Sequence, residues 1–133
     1  MLKNILMTMT VMALAIAPVV AHHAFTAEFD ANRPVRLTGS VTKVEWINPH
    51  AWMHIDVEDE QGEVNNWSIE LAAPNAMIRR GWNNNSIPVG TEVIVEGWQA
   101  KNGSNVANGG HVTLPDGQRL FAGSSGTGAP IER

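Results

Sequence analysis

Trp52-Met53-His54-Ile55-Asp56-Val57-Glu58 alternates strictly between apolar and polar residues once Trp52 is set apart. A period of two places successive side chains on opposite faces of an extended chain. The stretch therefore reads as a half-buried β-strand. Met53, Ile55 and Val57 face a core, and Trp52, His54, Asp56 and Glu58 face outward.

The same grammar extends on both sides. Upstream, Arg36 to Ile47 alternates, with Gly39 in mid-strand where a bend or bulge is expected, and Asn48-Pro49 closes the run. Downstream, Asp59-Glu60-Gln61-Gly62 is a hairpin turn, and Val64 to Leu71 returns with Trp67, Ile69 and Leu71 on one face. Pro74 to Gly81 then carries Pro in its first turn, Arg79 and Arg80 in its last and Gly just beyond, the signals of a two-turn helix. A fourth strand runs from Thr91 to Ala100 with Val93 and Val95 inward, and a fifth from Val106 to Leu114. Pro115-Asp116-Gly117 turns the chain into Arg119-Leu120-Phe121, and residues 122–133 carry no periodic pattern and read as a tail.

Three strands, one short helix and two strands is the order of the OB-fold, a five-stranded, partly open Greek-key barrel. The expectation is an all-β, OB-fold-like five-stranded barrel over residues 35–121, with one short helix between strands three and four. An immunoglobulin-like sandwich ranks second, since it wants about seven strands and no helix.

Ahead of the barrel, residues 1–21 read as a secretory signal peptide: Lys3 is the positive region and Ile5 to Ala17 the apolar one. That apolar run is shorter than the roughly 20 residues a membrane-spanning helix needs. Val19-Val20-Ala21 sets the expected cleavage, which makes His22 the first residue of a periplasmic mature chain and residues 22–34 an N-terminal arm. Phe25 and Phe29 are the side chains that would pin this arm to the barrel.

The whole chain has 133 residues, 44% hydrophobic and 17% charged, which suits one folded domain. A net charge of −4 offers nucleic acid no basic footprint. Cysteine is absent, so disulfides, thiolate metal sites and thiol nucleophiles are excluded.

The segments HHAFTAEFDANRPVRLTGSVTKVEWINPH (22–50), IRRGWNNNSI (78–87), KNGSN (101–105) and GQRLFAGSS (117–125) resemble a family of short exported bacterial proteins known only as a domain of unknown function. The resemblance spans nearly all of the expected mature chain. It implies export and a compact β domain, and brings no activity, cofactor or catalytic residue.

Two groups of residues carry possible chemistry. The first is histidine. An N-terminal His22 offers an α-amine and an imidazole that both become neutral near pH 7, a chelate suited to Cu(II). His23 lies beside it, and His50, His54 and His111 are the candidates for a further ligand. No zinc-finger spacing occurs, and His50 and His54, four apart, would align on a helix but not on the strand read here. Copper leads zinc as the possible metal because the ligands are all nitrogen, with an amine among them. The second is the outward face of strands two and three, where Trp52 with His54 and Asp56, and Trp46 nearby, make a stacking platform with polar partners for a small ligand such as a sugar. Trp67, Trp82 and Trp98 read mainly as core or cover.

Five acids, Asp56, Glu58, Asp59, Glu60 and Glu63, do not fall in the EF-hand register and read as a charged hairpin. Among all the acids, Glu70 alone sits in an apolar setting. No nucleophile elbow, phosphate loop or dinucleotide fingerprint is present. The sequence thus reads as a non-enzymatic binding or accessory module for a small ligand or another envelope protein, with Cu(II) binding as the rival.

Overall fold

The computed structural model describes residues 25–123 and Pro130. Its strands are β1 (Phe29–Glu45), β2 (Trp52–Glu58), β3 (Val64–Glu70), β4 (Glu92–Ala100), β5 (Val106–Thr113) and β6 (Arg119–Phe121), with one helix, α1 (Pro74–Arg79), between β3 and β4. The expected signal peptide, His22 and His23 lie outside the described residues.

Five of the strands close into a ring. β1 pairs antiparallel with β2 and with β4, β2 with β3, and β4 with β5. The ring closes through a parallel pairing of β3 with β5, Ser68 to Val106, Ile69 to Ala107 and Glu70 to Asn108. This is the OB-like arrangement expected from the element order, and β6 adds a short hairpin strand on β5.

The alternation of β2 has the predicted consequence, since Met53 and Ile55 are completely buried. They join Val41, Ile69, Val93, Val95 and Val112 inside the ring. Helix α1 puts Met77 into this core, and Trp82 follows it in. Gly81, with φ +94, ends the helix in the left-handed region where a Cβ is disfavoured. Trp82 Nε1 donates to the Phe121 carbonyl at 3.2 Å, which satisfies the buried indole.

Three details depart from the sequence reading. β1 begins at Phe29, inside the expected arm, because Phe29 pairs with Ala100 across a register shift and its ring packs at the ring's outer wall. Gly39 is not a bulge, as the irregularity falls between Val41 and Lys43. It permits close approach instead: a Cβ there would lie 2.6 Å from the Asp56 carbonyl oxygen. Ala122, placed at the start of the tail, is fully buried and bridges backbone, accepting from Ala72 N–H and donating to the Gly110 carbonyl at 2.8 Å each.

A second, smaller apolar cluster lies outside the ring. Residues 25–28 form a helical turn, and Phe25 and Phe29 pack with Trp98 and Ala100, all at least nine-tenths buried. The Phe25 ring lies 5.7 Å from Phe29 and edge-on to Trp98 at 5.7 Å. The pinning expected of the two phenylalanines is therefore present, and its anchor is Trp98. That tryptophan belongs to this outer cluster and not to the main core.

Candidate functional site

The outer face of β2 is assembled by register. Trp52 stands opposite Glu45 of β1 on one side and Glu70 of β3 on the other, while His54 stands opposite Ser68 and Asp56 opposite Asn66. Because side chains at paired positions share a face, a tryptophan is set between two glutamates with His54 one pleat away. Trp52, His54 and Asp56 are all partly exposed. Trp46 lies elsewhere, packed against the main core, so the proposed platform does not include it.

Each of the two glutamates carries a histidine, and the two pairs differ. His54 Nε2 lies 2.9 Å from Glu45 Oε2, and its Nδ1 lies 3.1 Å from Ser68 Oγ. Since the carboxylate can only accept, the neutral ring donates from Nε2 and accepts the Ser68 hydroxyl at Nδ1. Lys43 Nζ reaches the other Glu45 oxygen at 2.7 Å. These bonds from Lys43 and His54 hold the Glu45 carboxyl below the usual carboxylate range.

His50, in the turn before β2, places Nδ1 3.0 Å from the Leu71 carbonyl oxygen and 3.3 Å from Glu70 Oε1. Glu70 is 9% exposed. Burial pushes its carboxyl up, a tendency His50 and an Asn108 hydrogen bond oppose and the nearby Glu28 charge reinforces. Asn108 Nδ2 donates to Glu70 Oε1 at 3.4 Å. The apolar setting of Glu70 in WSIELAA was the sequence signal for this burial; nothing in NVANGG singles out Asn108.

Ser68, His54 and Glu45 form a hydrogen-bonded chain of the residue types used in acyl transfer, with two differences from that arrangement. The serine meets Nδ1 and the acid Nε2, the reverse of the usual triad. Ser68 N–H, a natural oxyanion donor, is already given to the Asn105 carbonyl at 3.0 Å. The chain reads as a rigidifying row across three strands.

The remaining candidate ligand, His111, lies on β5 with its ring 5.3 Å from Phe121. It is on a different stretch of the ring from His50 and His54, next to the Glu96 carboxylate that Arg119 and Arg36 hold at 2.9 and 3.0 Å. Of the three histidines among the described residues, His54 and His50 flank Trp52 and His111 stands apart; His22 and His23 lie outside the described residues. Among the described residues no group of three or more His, Asp or Glu side chains is placed to hold a metal ion. No helix among them is long and apolar enough to cross a membrane.

Over residues 10–109 the chain matches a family of unknown function, DUF6152, and it belongs to that family. No curated protein and no solved structure matches it.

Proposed function

We propose that the protein is an exported, non-enzymatic binding module of the periplasm whose ligand face is the outer surface of β2 and β3. The observation that carries this reading is the partly exposed Trp52, aligned in register between Glu45 and Glu70 and flanked by His54 and Asp56. An indole supplies a flat apolar contact, and hydrogen-bonding groups at its edge supply orientation, the pairing a sugar ring needs. The His54–Glu45–Ser68 row fixes the polar side of that platform, so little side-chain freedom is lost on binding.

The test is tryptophan fluorescence with cello- and chito-oligosaccharides. The expected result is saturable quenching or a spectral shift that Trp52→Ala abolishes and Trp67→Phe retains. No saturable change with either sugar series, or an unchanged response in Trp52→Ala, would reject the sugar platform.

A second reading, Cu(II) binding through the amine and imidazole of a processed His22, gains one specific support. His50 directs Nδ1–H at the Leu71 carbonyl, the orientation that leaves Nε2 of a neutral imidazole as a metal donor. His54 has both nitrogens engaged and is the weaker partner. Correctly processed protein should bind Cu(II) tightly and lose most of that affinity when an extra Gly precedes His22; equal binding by both forms would refute it.

A further inference from the structure

Arg36, Glu96, His111 and Phe121 stand opposite one another in turn across β1, β4, β5 and β6. Paired positions share a face, and Leu120 packs inward on the core, so Arg119 and Phe121 on either side of it point outward. Phe121 is 41% exposed, and the His111 ring lies 5.3 Å from it. The Arg80 guanidinium lies over the Phe121 ring, 4.4 Å from its centroid, and its Nη1 donates to the Gly123 carbonyl. This face shares no residue with the Trp52 platform.

Positive charge here exceeds the acid that faces it. Arg36, Arg79, Arg80 and Arg119 are four of the five arginines among the described residues, in a chain of net charge −4. Glu96 accepts from Arg119 Nε at 2.9 Å and from Arg36 Nη1 at 3.0 Å on separate oxygens, so one carboxylate answers two guanidiniums. The Arg119 bond holds the Glu96 carboxyl below the usual carboxylate range. Asp116, in the β5–β6 turn, accepts from the Gln118 N–H and caps that turn. Among the described residues neither Arg79 nor Arg80 has a carboxylate within ion-pair distance. Arg80 is also partly buried, and burial together with the adjacent Arg79 charge disfavours its charged form. A guanidinium drawn out of water without a counter-ion is costly, and an arriving anion relieves it.

We propose that this face binds a carboxylate carried on a ring, a uronic-acid sugar or an aromatic acid in kind, with the carboxylate at Arg80 and Arg119 and the ring against Phe121 and His111. Arginine presents a planar fork that matches a carboxylate, and an exposed aromatic side chain takes the flat apolar side of the ligand. Arg119 and Phe121 are two residues apart on β6, about 7 Å along the strand, so one ring-bearing acid spans both. Acetate has the charge without the ring, and a neutral sugar the ring without the charge. Each engages half of the face. The site is independent of the sugar platform and of His22.

The experiment is an amide NMR titration of the full mature chain with trigalacturonate, its methyl ester, benzoate and acetate. The expected result is saturable shifts at Gly110, His111 and Phe121 with trigalacturonate or benzoate, the tighter of the two naming the source of the ring. The methyl ester and acetate should bind about tenfold more weakly, and Arg119→Gln should weaken the ring acids by about the same factor, the worth of one charge-assisted contact. Arg119 is exposed, so its variant folds even if Arg80→Gln does not. The shifts should persist in Trp52→Ala. Absence of saturable shifts with both ring acids, acetate binding as tightly as they do, or an unchanged affinity in Arg119→Gln would overturn the proposal. Loss of the shifts in Trp52→Ala would also overturn it, by moving the acid to the platform.

Discussion

Two histidine–glutamate pairs lie on either side of Trp52, and they behave oppositely. His54–Glu45 stands on an exposed sheet face, where Glu45 accepts from both Lys43 and His54 and its charged form is favoured. His50–Glu70 uses the same two residue types with the carboxyl buried, and there loss of water raises it. Residue identity is shared; solvent decides the sign. The comparison teaches that a functional reading of such a pair depends first on what covers it.

The largest way to break the contrast is to push β4 away from β5, the strand that carries Asn108 beside Glu70. Gly97 faces Asn108 so closely that a Cβ would lie 2.0 Å from the Asn108 carbonyl oxygen. Gly97→Ala is expected to cost about 4 kcal/mol, read by chemical denaturation, because backbone and not a flexible side chain must move. Gly81→Ala, whose Cβ meets nothing within 4 Å, should cost far less, through its positive φ alone.

Emptying the outer aromatic cluster is the next largest change. Phe25→Ala takes out a ring that packs on both Phe29 and Trp98 and should cost about 3 kcal/mol. Chemical denaturation reads the loss, and an unchanged midpoint would show that the cluster adds nothing to stability.

pH sharpens the same comparison, and the two acids predict opposite slopes. Glu70 is raised in the folded state, so its contribution is full below the unfolded carboxylate value and is lost as pH climbs through the folded one. Glu45 is lowered, so its contribution is present above the unfolded value and is lost as pH falls through the folded one. Thermal unfolding across pH 3–8, a range set around the ordinary carboxylate value of about 4.3, should show Glu70→Gln flattening the decline toward neutral pH. Glu45→Gln should flatten the acid limb, and identical profiles for the two variants would remove the contrast.

The smallest expected effect is that of Ser68→Ala. It deletes one of the two partners of His54 and should cost about 1 kcal/mol, with the His54 ring resonances shifting and those of His50 unmoved.

Some of this was written along the chain. The alternation of residues 52–58 and the start and stop signals around Pro74 and Gly81 require no distant contact, so strand, helix and their order could be read directly. The site was only half legible. Trp52, His54 and Asp56 share a face by alternation alone, and Glu70 stood out by its apolar neighbours. Trp46 packs against the main core and not on the platform, while Trp98, read as core or cover, is buried in the outer cluster.

What the sequence determined by itself is the set of local, periodic facts: which residues face inward, where the chain turns, and the order of strands and helix. Tertiary structure alone decided which acids and histidines meet. The parallel pairing of β3 with β5 brings Glu70 to Asn108 across 38 positions of chain, and the 25–29 segment brings Phe25 to Trp98. Those contacts depend on ring closure and on the loss of water, and neither has a period that a single strand can display.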